Sequence, residues 1–560
     1  MSKQDADLVL RGGAVYTVDA ARSWAQAVAV RDGVIVGVGT GEQVEELTGP
    51  ATRVLDLGGR MVLPGFIDAH VHASAAGLER LRCDLSDAHG LADYLAAVQA
   101  YADASPGTGW ITGGGWSIDV FPGGVPSRHD LDRIVPGRPV FLSNRDHHAA
   151  WVNSKALELA GVTASTQDPA DGRIEREPDG TPAGTLQEGA MSLVERVVPR
   201  PEVTEQVAGI VEGQRYLHEL GITGWQEAIV GDYAVIPDCF DAYLEAERRG
   251  LLTARVVGAL WWQRGTGLGQ LDGLAARREQ AGRDGRFRAT SVKIMQDGVC
   301  ENFTASMLTP YLDGHGHETD GSGASFFGAQ ELKEAVTAID GRGFQVHFHA
   351  IGDRAVREVL DAVESARTAN GPADRRHHIS HIQVVHPDDL PRFRDLDVLA
   401  NCQPLWACEE PQMTELTLPF LGPERSDWQY PFGRLLRSGA QLCFGSDWPV
   451  SSPNPLWEMH VAVNRTVPPG YPYAVPGAGK VFLPSDRIGL HDAIAAATIG
   501  SAYVNHADDV SGSIEAGKAA DLVVLDRNLF AYPVEEIALA TIDMTIAGGQ
   551  VVHERTGSPT

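Results

Sequence analysis

The chain has 560 residues, too many for one ordinary domain but enough for a large barrel with a satellite domain. Hydrophobic residues make up 43% and aromatics 7%, the balance of a globular protein with a sizeable core. A formal net charge of -28, with no Lys/Arg-rich stretch, argues against a nucleic-acid partner, because phosphate binding needs a concentrated basic face; solubility accounts for the acidity.

The N-terminal MSKQDADLVLRGG lacks the apolar segment of a signal peptide and passes directly into strand-like alternation. ADLVLRGGAVYTVD and AVAVRDGVIVGVG read as short strands joined by glycine turns. Near the finish, ADLVVLD and DMTIAGGQVVHE repeat that style. Isolated hairpins are marginal in water, so residues 1–60 and 500–560 are expected to form one small β-sandwich from both chain ends. Between them, RMVLPGFIDAH, GITGWQEA, ATSVKIMQDG, GFQVHFHA, HHISHIQVV, DVLANCQP and AQLCFGSD are apolar strands that each run into polar residues. Amphipathic helices such as AQELKEAVTAIDGRG and DRAVREVLDAVESAR lie between them. This alternation predicts an α/β fold, most economically a (β/α)8 TIM barrel over residues 61–499. Residues 78–211 are richer in Gly and Pro and less regular, and are expected to be an inserted cap, with RPVFLSN as a strand candidate.

No apolar run approaches the roughly 20 residues that cross a bilayer. The six cysteines, Cys83, Cys239, Cys300, Cys402, Cys408 and Cys443, contain no CxxC pair and suit neither a zinc finger nor a secreted disulfide scaffold. A soluble cytoplasmic protein is expected. Large barrels often associate, so a homo-oligomer is compatible with the sequence, which does not choose between dimer and tetramer.

Alternate strand residues face one side, so His70 and His72 of H-V-H point into one pocket and can chelate a divalent cation. On its own the pair fits equally well one core histidine and one rim histidine. Other strand ends add His347 and His349 in H-F-H, His381 in HHISHIQ and Asp447 in GSDWP. Singly, His347 reads as buried behind a site and Asp447 as a helix cap. A parallel barrel, however, gathers all carboxyl strand ends on one face, and imidazole and carboxylate are the donors that zinc accepts. Four separate strand ends carrying such groups favour a metal centre.

With these stretches the chain resembles the amidohydrolase superfamily, through LPGFIDAHVH and GSIEAGKAADLVVLD. More narrowly it is similar to the amidohydrolase family 3 branch, which includes N-substituted formamide deformylase. RDHHAAWVNSKAL, KIMQDG, HAIGDRAV, SHIQVVHPDDL and GSDWPV carry that likeness. The resemblance implies His70, His72, His349 and His381 as metal ligands, and Asp447 as both metal contact and proton acceptor. Lys293 falls where many members carry a carboxylated lysine bridging two metals; an ordinary lysine paired with Asp297 or anchored by the barrel rim is the alternative. It implies one or two divalent ions, with Zn2+ favoured. Where branch members often read D-G-H, this chain has Asp146-His147-His148, which makes His148 a substrate contact and lets His147 alter pocket shape, with a solvated loop histidine as the alternative for each. Glu188 also falls in a branch motif, with a helix-terminal structural role as its alternative.

The activity so implied is hydrolysis of a C–N bond, in an amide, formamide or cyclic amide, by metal-activated water, with Asp447 shuttling the proton. The alternatives on the same barrel are lactone or ester hydrolysis and decarboxylation. Trp110, Trp116, Phe121 and Trp151 in the insertion, and Trp225, Trp406 and Trp448 near strand ends, suggest a small-molecule substrate with an aromatic or apolar portion, or else packing of cap on barrel. Trp116, Trp151, His148 and Asp297 are the substrate-binding candidates.

Overall fold

The computed structural model describes residues 5–556 except 87, 89, 146, 170, 171, 234, 235 and 473–478, so Asp146 of the cap motif lies outside the described residues. Both chain ends enter one eight-stranded sheet. Its central seam pairs Met61–Pro64 antiparallel with Leu522–Leu525, in the register Met61↔Leu525 to Pro64↔Leu522. Leu10, Val28, Val62, Leu522 and Ile546 from strands of both ends share one apolar core. Met61–Pro64 therefore belongs to this terminal sheet, and the barrel begins only at Phe66. At the other boundary, Ser501–Val504 serves the barrel floor. Gln345 Nε2 donates to Val504 O at 2.6 Å, and Gln226 Nε2 to Asn505 Oδ1 at 2.9 Å.

Eight parallel strands circle the barrel in chain order. They are Phe66–Val71, Ile222–Val230, Arg255–Trp261, Phe287–Met295, Gln345–Ala350, His378–His381, Leu399–Cys402 and Leu442–Phe444. Strands so enclosed are buried on both faces, which is why they read as continuous apolar runs. The third, RVVGALW, is absent from the sequence reading because no metal-binding side chain marks its end. Asp447 N donates to His70 O (2.8 Å) and His72 N to Trp448 O (2.9 Å), which draws the turn after the eighth strand against the first.

The helix Ala73–Arg80 starts directly after His72 and packs on Val203–Glu219 with almost no side chain between them. A Cβ on Gly77 would lie 2.0 Å from Gly209 O, and one on Gly213 2.4 Å from Ala73 O. Glycine is required there by backbone contact, and this contact seats the segment that follows His72.

The insertion forms its own six-stranded sheet, from Cys83–Asp84 to Pro182–Glu188, and Val140–Asn144 of RPVFLSN is one of its inner strands. Because Val203–Glu219 packs back on the barrel helix Ala73–Arg80, the cap proper ends before residue 203. Trp116, Phe121, Leu131, Leu142 and Trp151 make its core.

Candidate metal centre

The first strand delivers His70 and His72 to one spot: their Nε2 atoms lie 3.0 and 3.1 Å from Asp447 Oδ1. His381, at the end of the sixth strand, completes a compact group in which one ligand atom each from His70, His381 and Asp447 fall within 4.8 Å of one another. The backbone is strained at two of these residues, with φ of 77° at His381 and 56° at Asp447. Left-handed conformations cost a non-glycine residue roughly 1–2 kcal/mol, so surrounding bonds must impose them. Gln403 Oε1 accepts from His381 N at 2.6 Å. Asp68, two residues before His70, accepts from His70 N and Ser446 N at 3.0 Å each and from Ser446 Oγ at 2.5 Å. It thereby stitches the first strand to the Asp447 turn. Gly445 makes the approach possible, since a Cβ there would lie 2.6 Å from His70 Cβ.

His349 closes on this group from the fifth strand. Its ring centroid is 4.4 Å from that of His381, while its Nε2 is 3.2 Å from Gly298 O. Lys293, from the fourth strand, is 3% exposed, and its Nζ has no hydrogen-bond partner among the described residues. His72 Nδ1 and His381 Nδ1 are likewise buried without partners among the described residues. Burial, reinforced by Lys293, pushes His70 and His349 down to about 3. Burial takes the Lys293 amine down to about 7 against the pull of Asp447. Burial alone would raise Asp447, but His70, His72 and His381 hold its carboxyl well below the usual range. Uncharged imidazoles around an ionised carboxylate are the protonation states a divalent cation requires, so the donor set fits such an ion.

The sequence model of the amidohydrolase family matches residues 53–553. The chain belongs to the amidohydrolase family. Among its relatives is the protein LONG AFTER FAR-RED 3 of Arabidopsis thaliana, 32% identical over 98% of this chain and 91% of that one. N-substituted formamide deformylase of Arthrobacter pascens is 28% identical over 99% of this amidohydrolase and 100% of that enzyme. Among solved structures, an uncharacterized metal-dependent hydrolase of Pyrococcus horikoshii superposes with a TM-score of 0.74 at 25% identity, covering 94% of this chain and 99% of that one.

The remaining site candidates of this amidohydrolase fall into three groups. His148 lies on the cap with Nδ1 3.0 Å from both Glu188 carboxylate oxygens, and Asn302 Nδ2, from the loop after the fourth strand, donates to Glu188 Oε1 at 2.7 Å. His147 Nε2 is 3.5 Å from Glu79 Oε1. Asp297 is fully buried and accepts from the backbone N–H groups of Ser306, Ile351 and Gly352 at 2.8–3.0 Å. Three loop N–H groups thus occupy its carboxyl, whose Oδ1 also lies 3.7 Å from His349 Nε2, so it holds loops beside the site and does not pair with Lys293. Trp116 and Trp151 leave the substrate list. Both are fully buried in the cap core, with indole N–H groups bonded at 2.9 Å to Leu142 O and Ser127 O. The aromatic residue at the centre is instead Trp406, stacked on His381 at 5.2 Å and 3°.

Two contributors escaped the sequence reading. Asp68 stands as an acid inside an apolar strand. Arg145 stood in the cap motif, and it donates to Val450 O and the Tyr471 hydroxyl at 3.2 Å each, fastening the cap to the turn that carries Asp447.

Proposed function

We propose that this amidohydrolase cleaves the C–N bond of an amide, with N-formyl and N-acyl amines as the favoured substrates. The observation that carries the reading is the meeting of His70, His381 and Asp447, with His72 on the same Asp447 oxygen as His70 and with His349 and Lys293 alongside. Zn2+ suits these nitrogen and oxygen donors. When bound, such an ion supplies Lewis acidity that acidifies water and polarises a carbonyl. The chain's own residues do the rest. His70, His72, His349 and His381 would hold the ion, and Lys293 would add a further ligand if carboxylated. Asp447, ionised at neutral pH, takes a proton from the attacking water as oxygen bonds to the carbonyl carbon. The same carboxyl then returns that proton to the amine nitrogen as the C–N bond breaks.

Trp406 beside His381, and the Tyr233–Trp261 pair (4.5 Å between ring centroids) at the second and third strand ends, support an aromatic or apolar substrate portion. His148, oriented by Glu188, is the proposed polar substrate contact. The likeness to N-substituted formamide deformylase favours a C–N bond over lactone, ester or carboxyl chemistry. All six cysteines are unpaired and buried, which supports a reducing, cytoplasmic setting. No helix among the described residues is long and apolar enough to cross a membrane. The test is to assay zinc-loaded protein against a panel of N-formyl and N-acyl amines, lactones and esters, measuring metal content on the same sample. Amine release at an occupancy near one or two ions supports the proposal, and turnover confined to lactones or esters overturns it.

A further inference from the structure

The second H-x-H does not stop at His349. His347, one layer deeper in the barrel, lies fully buried behind His70, as does Ser380 of the neighbouring strand. The three side chains form a closed triangle. His70 Nδ1 is 2.7 Å from Ser380 Oγ, His347 Nε2 is 2.8 Å from Ser380 Oγ, and His347 Nε2 is 2.8 Å from His70 Nδ1. On its far face His347 rests against His378, with 4.1 Å between ring centroids. His378 is pinned in turn, because Asn401 Nδ2 lies 3.1 Å from its Nδ1 and donates to Ala69 O at 2.9 Å.

We propose that Ser380 and His347 are positioning residues that keep the proton of His70 on Nδ1 and so present its Nε2 lone pair to the cation. The inference rests on the metal-centre reading above. A neutral imidazole has one N–H and one lone pair, and the nitrogen that binds metal must be the bare one. A hydroxyl can accept and donate at once, so Ser380 Oγ takes the Nδ1–H of His70 and passes its own hydrogen to His347 Nε2. His70 Nδ1, Ser380 Oγ and His347 Nε2 are then all engaged with both rings uncharged, and the proton of His347 sits on Nδ1, which is buried without a partner among the described residues. Metal-binding histidines usually lean on a carboxylate or a backbone carbonyl, and losing that partner typically weakens metal affinity about 10–100-fold. Here the partners carry no charge, in keeping with a site whose anionic residue, Asp447, already faces the other nitrogen of His70.

The decisive measurement is the zinc affinity of metal-stripped protein, read by competition with a chelating indicator, for wild type, Ser380→Ala, Ser380→Thr and His347→Leu. Ser380→Ala is expected to bind zinc about 10–100-fold more weakly, with His347→Leu weakened in the same range. Ser380→Thr keeps the hydroxyl and is expected to restore most of the affinity. Unchanged circular dichroism separates this loss from unfolding, and should Ser380→Ala fail to fold, the His347→Leu affinity decides. A Ser380→Ala protein that binds zinc as tightly as wild type, or a Ser380→Thr protein as weak as Ser380→Ala, overturns the inference alone. A wild-type protein that takes up no zinc overturns the metal centre with it.

Discussion

Two H-x-H sequences end parallel strands of this barrel, and the fold uses them differently. In the first, both imidazoles reach Asp447, because the turn after the eighth strand is bonded alongside that strand end. In the second, His347 sits level with Lys293 and His378 on its neighbouring strands, and it supports His70 from behind. Only His349 reaches the layer of His381. Identical spacing therefore sets the side a residue faces but not its depth, which the tilt and stagger of barrel strands decide.

The largest effect that could break this contrast comes from Asp447→Asn. It is expected to keep metal while lowering kcat by about a hundred- to ten-thousandfold, the usual worth of a positioned acid–base group. Near wild-type turnover would remove Asp447 from the chemistry. Next, His72→Ala and His349→Ala are each expected to strip metal from the purified protein, as measured by elemental analysis. A full complement in His349→Ala would leave the second H-x-H with no ligand at all. Lys293 sharpens the same comparison through pH. Its amine, at about 7, is charged below that value and neutral above it, and only the neutral form can react with carbon dioxide. Bicarbonate-dependent recovery of metal by stripped protein should therefore rise through about pH 7; a midpoint near the ordinary 10.5 would contradict the burial. Gly445→Ala drives a methyl into His70 and is expected to cost about 1–3 kcal/mol of stability in denaturant unfolding, along with metal affinity. Smallest is Trp151→Phe, expected to lose about 1 kcal/mol with its bond to Ser127 O while KM stays within about twofold.

Much of the architecture was legible in the sequence. Strand–helix alternation gave the barrel, and similar strands at both ends gave the shared terminal sheet. The helices foreseen in AQELKEAVTAIDGRG and DRAVREVLDAVESAR are present as Ala329–Gly341 and Asp353–Asn370. That His70, His72, His381 and Asp447 lie together could be foreseen because imidazole and carboxylate groups at the ends of apolar runs are conspicuous. What escaped is set by three-dimensional register. Ser380 looks like any strand serine until His70 is placed against it, and Asp297 looks like a pocket acid until three backbone donors are seen to occupy it. Trp116 and Trp151 were misplaced because a sequence shows that an indole is large and apolar but not which core it fills.

The seam between Met61–Pro64 and Leu522–Leu525 has a consequence for biosynthesis. The segment leading into His70 leaves the ribosome long before its sheet partner, Leu522–Leu525, emerges. Until then the nascent protein carries an unpaired strand edge, the kind of surface that invites aggregation. Seating of the segment that carries His70 and His72 is thereby tied to synthesis through residue 525, and a product cut short before residue 522 would lack the strand that anchors the approach to these two histidines.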